Sequence, residues 1–269
     1  MDRIPRVSFI IGIYNCAPTL QEALDSLYAQ TYRNFEIILC DDGSTDDTYH
    51  IAEANARAHP GMITLLRNER NMKLAATLNR CISAARGEYL ARMDGDDISH
   101  PERLARQVAF LDAHPEYDLV STSFVRFDGS GEWMTCVGDV EPDKKSLIFG
   151  VPFNHPSCLM RKKAIAEIGN YTADPKVERA EDVYLWYKFF KAGKRGYVLP
   201  DILINYRDDR DAARRRRVCD RFRFARMKYE ILGGLCLGMW RWVALYEAAK
   251  AFVPPVLVYK VKKFFSRRR

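Results

Sequence analysis

With 269 residues, 48% of them hydrophobic, the chain has apolar content for one large packed domain, or for a domain with a substantial tail. Seven scattered cysteines without a CxxC pair argue against a disulfide framework and predict reduced thiols in a cytosolic compartment; the short apolar run in MDRIPRVSFIIGIYN does not read as a signal peptide. The net charge of +7 is unevenly placed: Ala212 to Arg269 hold 16 Lys/Arg against 3 Asp/Glu, a balance of +13 that leaves −6 for residues 1–211, so an acidic body and a basic tail are expected to meet different partners.

The first 120 residues alternate between two periods. VSFIIGIY (7–14) is a continuous apolar run, the pattern of a parallel strand buried on both faces. TLQEALDSLYAQ then places Leu20, Leu24, Leu27 and Tyr28 on one helical face. Strands are predicted at 35–40, 62–67, 88–94 and 118–127, and helices at 48–59, 74–86 and 101–114, the last opened by Pro101. This alternation predicts a doubly wound α/β sheet, in which ligands bind beyond the carboxyl ends of the strands. The second half is less regular, with a strand predicted over 154–161, a helix over 181–193 and a strand over 201–207.

Two acidic clusters fall at strand ends: CDDGSTDD after the second strand and MDGDD after the fourth. Asp94, Asp96 and Asp97 crowd three carboxylates into four positions, which calls for a cation among them. A turn with helix caps accounts for DDGSTDDT equally well. A helix–loop–helix calcium site does not fit, because position 12 counted from Asp94 is Ala105, and counting from Asp42 puts Asp47 where glycine is required. There is no GxxxxGK[ST] and no GxGxxG. What remains is Mg²⁺ or Mn²⁺ held by one or two carboxylates together with the diphosphate of a nucleotide.

RVSFIIGIYN, FEIILCDDGSTDDT, NMKLAATLNRCISAARGEYLARMDGDDISHPERL and AEDVYLWYKF, in this order over residues 5–207, resemble the family 2 glycosyltransferases of the GT-A fold. The resemblance implies a GT-A-like, mostly parallel α/β sheet, a nucleotide-sugar donor, Mn²⁺ or Mg²⁺, and an inverting transfer. Carried over residue by residue, Asp42 would meet the nucleobase or ribose. Asp94 and Asp96 form the DxD motif, with Asp96 the direct metal ligand, Asp94 nearer the ribose, and Gly95 between them against the donor. Gly12, Ile13, Tyr14 and Asn15 would form the floor under the nucleotide, and Asp182 would be the general base. Lys73 stands where the family often has glycine, and a basic residue there would reach the nucleotide. His155 matches a family position near the metal or the phosphates; a strand-end histidine bonded to backbone is the other reading. The QxxRW motif of processive members is absent, which favours addition of a single sugar. Family habit favours UDP, with GDP and dTDP open.

The chemistry is consistent with this family. Displacing a nucleoside diphosphate from an anomeric carbon builds charge on the leaving phosphate, which a metal ion stabilises. A carboxylate on the opposite face takes the acceptor proton, worth roughly 10²–10⁴-fold. Trp186, four residues after Asp182, could stack on an acceptor sugar or belong to the core. Glu181 would tune Asp182 or favour the helix N-terminus. Arg161 reads as structural.

Residues 1–211 are thus expected to form the transferase domain, with a nucleotide-binding part over about 1–120 and an acceptor part over about 121–211. Residues 212–269 are expected to be a basic, amphipathic, helical region. Its run Arg214–Arg217 and the pattern of Leu257, Val261, Phe264 and Phe265 opposite Lys260, Lys263 and Arg267 suggest docking on an anionic membrane. A subunit interface is the alternative, and no nucleic-acid motif accompanies the arginines. The expected setting is cytoplasmic, on the inner face of the membrane, with a saccharide or lipid-linked saccharide as acceptor, in surface polysaccharide or glycolipid assembly. The rival readings are a non-catalytic binding protein on the same fold and a nucleotidyltransferase.

Overall fold

The computed structural model describes residues 4–208 and 218–249. Its first half holds four parallel strands, β1 (Val7–Ile13), β2 (Phe35–Asp41), β3 (Ile63–Arg67) and β4 (Tyr89–Arg92), in the spatial order β3-β2-β1-β4. β2 is buried at all seven positions, as an apolar strand covered on both faces must be. Helices α1 (Ala17–Tyr28), α2 (Thr48–Ala58), α3 (Leu74–Ala84) and α4 (Arg103–Ala113) cover it. Leu20, Leu24 and Leu27 of α1 join Leu104, Val108 and Leu111 of α4 in one core cluster. Leu78, Cys81 and Ile82 of α3 pack into a second cluster. The chain leaves β1 toward β2 and β3 on one side and returns to β4 on the other, so a crevice opens beyond the carboxyl ends of β1 and β4. The sheet is of the α/β, GT-A type that the sequence predicts.

The second half extends this sheet in mixed register. β8 (Leu159–Arg161) runs antiparallel to both β4 and β6 (Leu119–Asp128), and β6 runs parallel to β9 (Gly196–Arg207). β7 (Gly131–Cys136) forms a hairpin with β6, while the short β5 (Ile98–Ser99) pairs with the far end of β9. Only three residues of the strand predicted over 154–161 are extended. His155–Ser157 form a 3-10 turn instead, where Pro156 fixes φ and has no N–H for a ladder. The strand predicted from residue 201 begins at Gly196 and bulges at Pro200: Leu199 pairs with Thr122, whereas the next ladder position pairs Ile202 with Ser123.

Helices α5 (Ser146–Phe149) and α6 (Lys162–Glu167) are too short to carry a periodic signal. α7 (Glu181–Lys191) buries Trp186 and Phe189, and on them pack α8 (Val218–Gly234) and α9 (Trp242–Ala249). Met227, Ile231, Leu232, Leu235 and Val243 belong to the same core cluster as Trp186, so these two helices sit on the body that carries the sheet. Among the described residues no helix is long and apolar enough to cross a membrane. Arg214–Arg217 and the amphipathic pattern from Leu257 to Arg267 lie outside the described residues.

Candidate active site

The two acidic clusters follow the carboxyl ends of β2 and β4, on either side of β1, and do different work. In the first, Asp42 is buried and its carboxylate faces the turn before α3. Its Oδ1 accepts from Asn68 Nδ2 at 2.6 Å and from the Met72 N–H at 2.7 Å, and its Oδ2 accepts from the Lys73 N–H at 2.9 Å. Asp42 therefore caps α3 from another element, placing negative charge at a helix N-terminus. The same loop closes on β1. Asn15, at φ 48°, accepts from the Thr45 N–H with its Oδ1 at 2.9 Å, and its own N–H donates to Ser44 Oγ. Asp46 accepts from the N–H groups of Ala17 and Thr48 where α1 and α2 begin. The turn-and-cap reading of DDGSTDDT thus describes much of what this loop does.

Lys73 has φ 73° and ψ 157°, a conformation that glycine adopts and other residues rarely do. Asp42 holds it there through the backbone. The side chain is exposed and reaches Glu178, with Nζ 3.6 Å from Oε1. Glu178 also pairs with Arg223 of α8.

The second cluster lies at the end of β4. The carboxylate oxygens of Asp94, Asp96 and Asp97 fall within 4.8 Å of one another, the one such group among the described residues. Gly95 lets this loop approach β1, since a Cβ there would stand 3.0 Å from both Cys16 Sγ and Ile13 Cγ2. Arg92, buried in β4, pairs with Asp94 at 2.5 Å. Asp97 is fully buried: its Oδ1 accepts from the Arg207 N–H at 2.9 Å, and its Oδ2 has no partner. Burial, then the charge of Asp94, pushes the Asp96 carboxyl up to about 6. Burial, with Asp94 and Asp96 beside it, pushes Asp97 well above the usual carboxylate range. Three crowded acids, one with an orphaned oxygen, suit a hard divalent cation, which favours oxygen donors and relieves their repulsion.

A cavity of about 340 Å³ opens in front of these acids, lined by Gly12, Tyr14, Cys16, Asp94, Gly95, Asp96, Tyr206 and Arg207. Tyr14 lines it with an exposed ring, while Ile13 is buried in the core and does not line it. Tyr206 and Arg207 enter from the end of β9. The Arg207 guanidinium donates to the Asp96 carbonyl at 2.9 Å through Nε and to Glu22 at 2.6 Å through Nη2. Glu181 and Asp182, both half-buried, occupy the first turn of α7, where the helix dipole favours acids. Burial pushes the Glu181 carboxyl up to about 7, and the charges of Asp182, Arg92 and Asp94 all act on it, so this helix end borders the acidic cluster.

His155 belongs neither to the acidic group nor to the lining of the cavity. Its ring is buried, Nε2 meets Tyr171 Oη at 2.6 Å, and an edge faces Trp186. Burial and the nearby Arg92 charge hold its imidazole well below the usual range, so the ring is neutral. Trp186 has no exposed surface and packs edge-on against Phe153; of its two readings, core tryptophan is the one that fits. Arg161 donates to the carbonyls of Tyr117 and Leu111, a structural role. Sequence reasoning gave Arg92, Tyr206 and Arg207 no role. A signal existed for each: Arg92 is a cation inside an apolar strand, and Tyr206 and Arg207 end a strand in a sheet that binds ligands at strand ends.

The family model for "Glycosyl transferase family 2" matches residues 8–169, which span both acidic clusters and His155. The chain belongs to glycosyltransferase family 2. The transferase is 39% identical over 264 residues to "Putative glycosyltransferase EpsE" of Bacillus subtilis, covering 98% of this chain and 95% of that protein. It is also 31% identical to the amylovoran biosynthesis glycosyltransferase AmsE of Erwinia amylovora, over 78% of this chain and 79% of that one. It is therefore related to enzymes of polysaccharide biosynthesis. Among solved structures it resembles S. aureus TarS 1–349 in complex with UDP (TM-score 0.66, 21% identity, 86% of this chain and 70% of that one). It likewise resembles the mannosyltransferase PcManGT of Pyrobaculum calidifontis in complex with GDP-Man and Mn²⁺ (TM-score 0.66, 20% identity, 98% and 81%). At such identities the likeness establishes the shared fold.

Proposed function

We propose that this transferase moves one sugar, with inversion, from a UDP-linked donor to a hydroxyl of a glycan or lipid-linked saccharide at the inner face of the membrane, in surface polysaccharide or glycolipid assembly. The observation that carries the reading is the cavity bordered by Tyr14, Asp94, Gly95 and Asp96 at the end of β4. Nucleotide-sugar complexes of the structural neighbours, UDP-GlcNAc with TarS and GDP-Man with PcManGT, support the donor class.

In this reading Tyr14 and the end of β1 support the nucleotide, Lys73 would leave Glu178 to reach the nucleotide, and the Asp42-held turn keeps the Lys73 backbone in place. Asp96 and Asp94 would hold Mn²⁺ or Mg²⁺, which when bound would supply positive charge to the departing diphosphate. Arg207 fixes the loop that carries Asp96. Asp182 accepts the proton of the acceptor hydroxyl as that oxygen bonds to the anomeric carbon. The bond from that carbon to the diphosphate breaks, and its electron pair leaves with the phosphate. One base and one displacement give inversion.

The test is release of nucleoside diphosphate from a panel of UDP-, GDP- and dTDP-sugars with saccharide acceptors. Asp182→Asn should lower turnover by roughly 10²–10⁴-fold and leave nucleotide binding unchanged. Full turnover by that variant would remove Asp182 as the base.

A further inference from the structure

Two segments far apart in the sequence, Phe149 and residues 239–245, bring apolar side chains to the surface. Phe149, at the end of α5, is 67% exposed; Met239, in the turn after α8, is 82% exposed; Trp242 and Leu245 of α9 are 54% and 73% exposed. The rings of Phe149, Trp240 and Trp242 form a closed triangle, with centroids 5.7, 6.4 and 6.1 Å apart. Trp242 and Leu245 are three residues apart on one helical face, while Val243 between them is seated in the core. The patch is therefore carried by a packed helix and is not a loose end. The donor cavity is lined by none of these residues.

We propose that this aromatic patch is the surface by which the protein docks on an anionic phospholipid bilayer, with the indoles in the headgroup region. Three features select this occupant. α9 ends at Ala249, and residues 250–269, which follow it directly, carry seven Lys/Arg and no Asp/Glu, so the apolar surface is tethered to a cationic segment. Tryptophan beside aliphatic side chains is the composition that settles at a membrane–water boundary. A second copy of the chain would need a broader contact, since standard protein interfaces engage about 20–30 residues a side. The inference rests on the membrane-peripheral part of the function proposed above and is independent of the transfer chemistry.

The full chain is tested by flotation with vesicles of phosphatidylcholine, with and without phosphatidylglycerol, and with brominated acyl chains to quench tryptophan. Wild type should float with the anionic vesicles and be quenched, and Trp240→Phe/Trp242→Phe should still float but lose most of the quenching. Met239→Ser/Trp242→Ser/Leu245→Ser should lose roughly tenfold or more in vesicle affinity while binding nucleotide normally, which also verifies its fold. If that variant floats like wild type while Lys260→Gln/Lys262→Gln/Lys263→Gln does not, the patch is overturned and the membrane-peripheral reading survives. If no vesicle binds wild type, both fall, and nucleotide binding by the same preparation still judges the donor site. A dimer in sedimentation that the serine variant dissolves, without vesicle binding, would assign the patch to a second copy and overturn the proposal.

Discussion

Lys73 combines backbone strain with a proposed contact to the donor at a single residue. A lysine at φ 73° and ψ 157° costs about 1–3 kcal/mol against a residue that prefers this region. Glycine would relieve that strain and lose about 0.5–1 kcal/mol to chain entropy. Lys73→Gly should therefore stabilise the fold by about 1 kcal/mol, a Tm rise of about 2–4 °C for a chain of this size. In the same variant nucleotide affinity should fall, because the ammonium is gone. Calorimetric Tm and nucleotide titration read the two effects separately. A destabilised variant would mean that the Lys73–Glu178 pair outweighs the strain. At this scale much of the site is legible in the sequence, since Asp42, Asp94, Asp96 and Tyr14 all stand where strand-end logic places them. The use to which Asp42 is put is not legible. Its bonds to Asn68, Met72 and Lys73 arise because β2 and α3 meet, a contact that no local pattern announces.

At the scale of elements, the parallel half is legible because each strand is short and mostly apolar and each helix keeps its period. The second half is not, for specific reasons. Pro156 turns an expected strand into a 3-10 turn, Pro200 throws a bulge into β9, and β5 is only two residues long. Those irregular elements nevertheless complete the site. The end of β9 crosses to the loop after β4, where the Arg207 N–H and guanidinium hold Asp97 and the Asp96 carbonyl. Groups that orient metal-binding carboxylates are typically worth 10–100-fold in metal affinity. Arg207→Ala should thus weaken Mn²⁺-dependent nucleotide binding by about that factor, measured by titration at several Mn²⁺ concentrations. Unchanged metal dependence would mean that the loop holds its shape without the clamp.

Across the whole molecule, the crowded acids set a conflict between stability and function. Asp96, Asp97 and Glu181 all have carboxyls raised above their unfolded values. Their contribution to stability is present below the unfolded carboxylate range, near pH 4, and is lost as pH rises through about 6 for Asp96 and about 7 for Glu181. Without metal, Asp96→Asn should therefore be more stable than wild type near neutral pH. The gap should close as pH falls toward about 4, where the unfolded chain also holds its protons. Thermal unfolding of both proteins across this range checks the sign, and wild type the more stable at neutral pH would contradict it. Added Mn²⁺ should raise the wild-type Tm near neutrality and leave the variant unmoved. The charge asymmetry seen in the sequence bears on the exposed aromatic patch, because the helix that carries Trp242 and Leu245 is followed directly in the sequence by the cationic segment.

The central claim is that the triad after β4 holds a metal on the diphosphate of a nucleotide. Titration calorimetry of UDP, GDP and dTDP, with and without Mn²⁺, on wild type and Asp96→Ala tests it most directly. One nucleotide, UDP, should bind in a metal-dependent way, and Asp96→Ala should abolish that binding. Metal-independent binding that survives in Asp96→Ala, or no binding of any nucleotide to wild type, would contradict it.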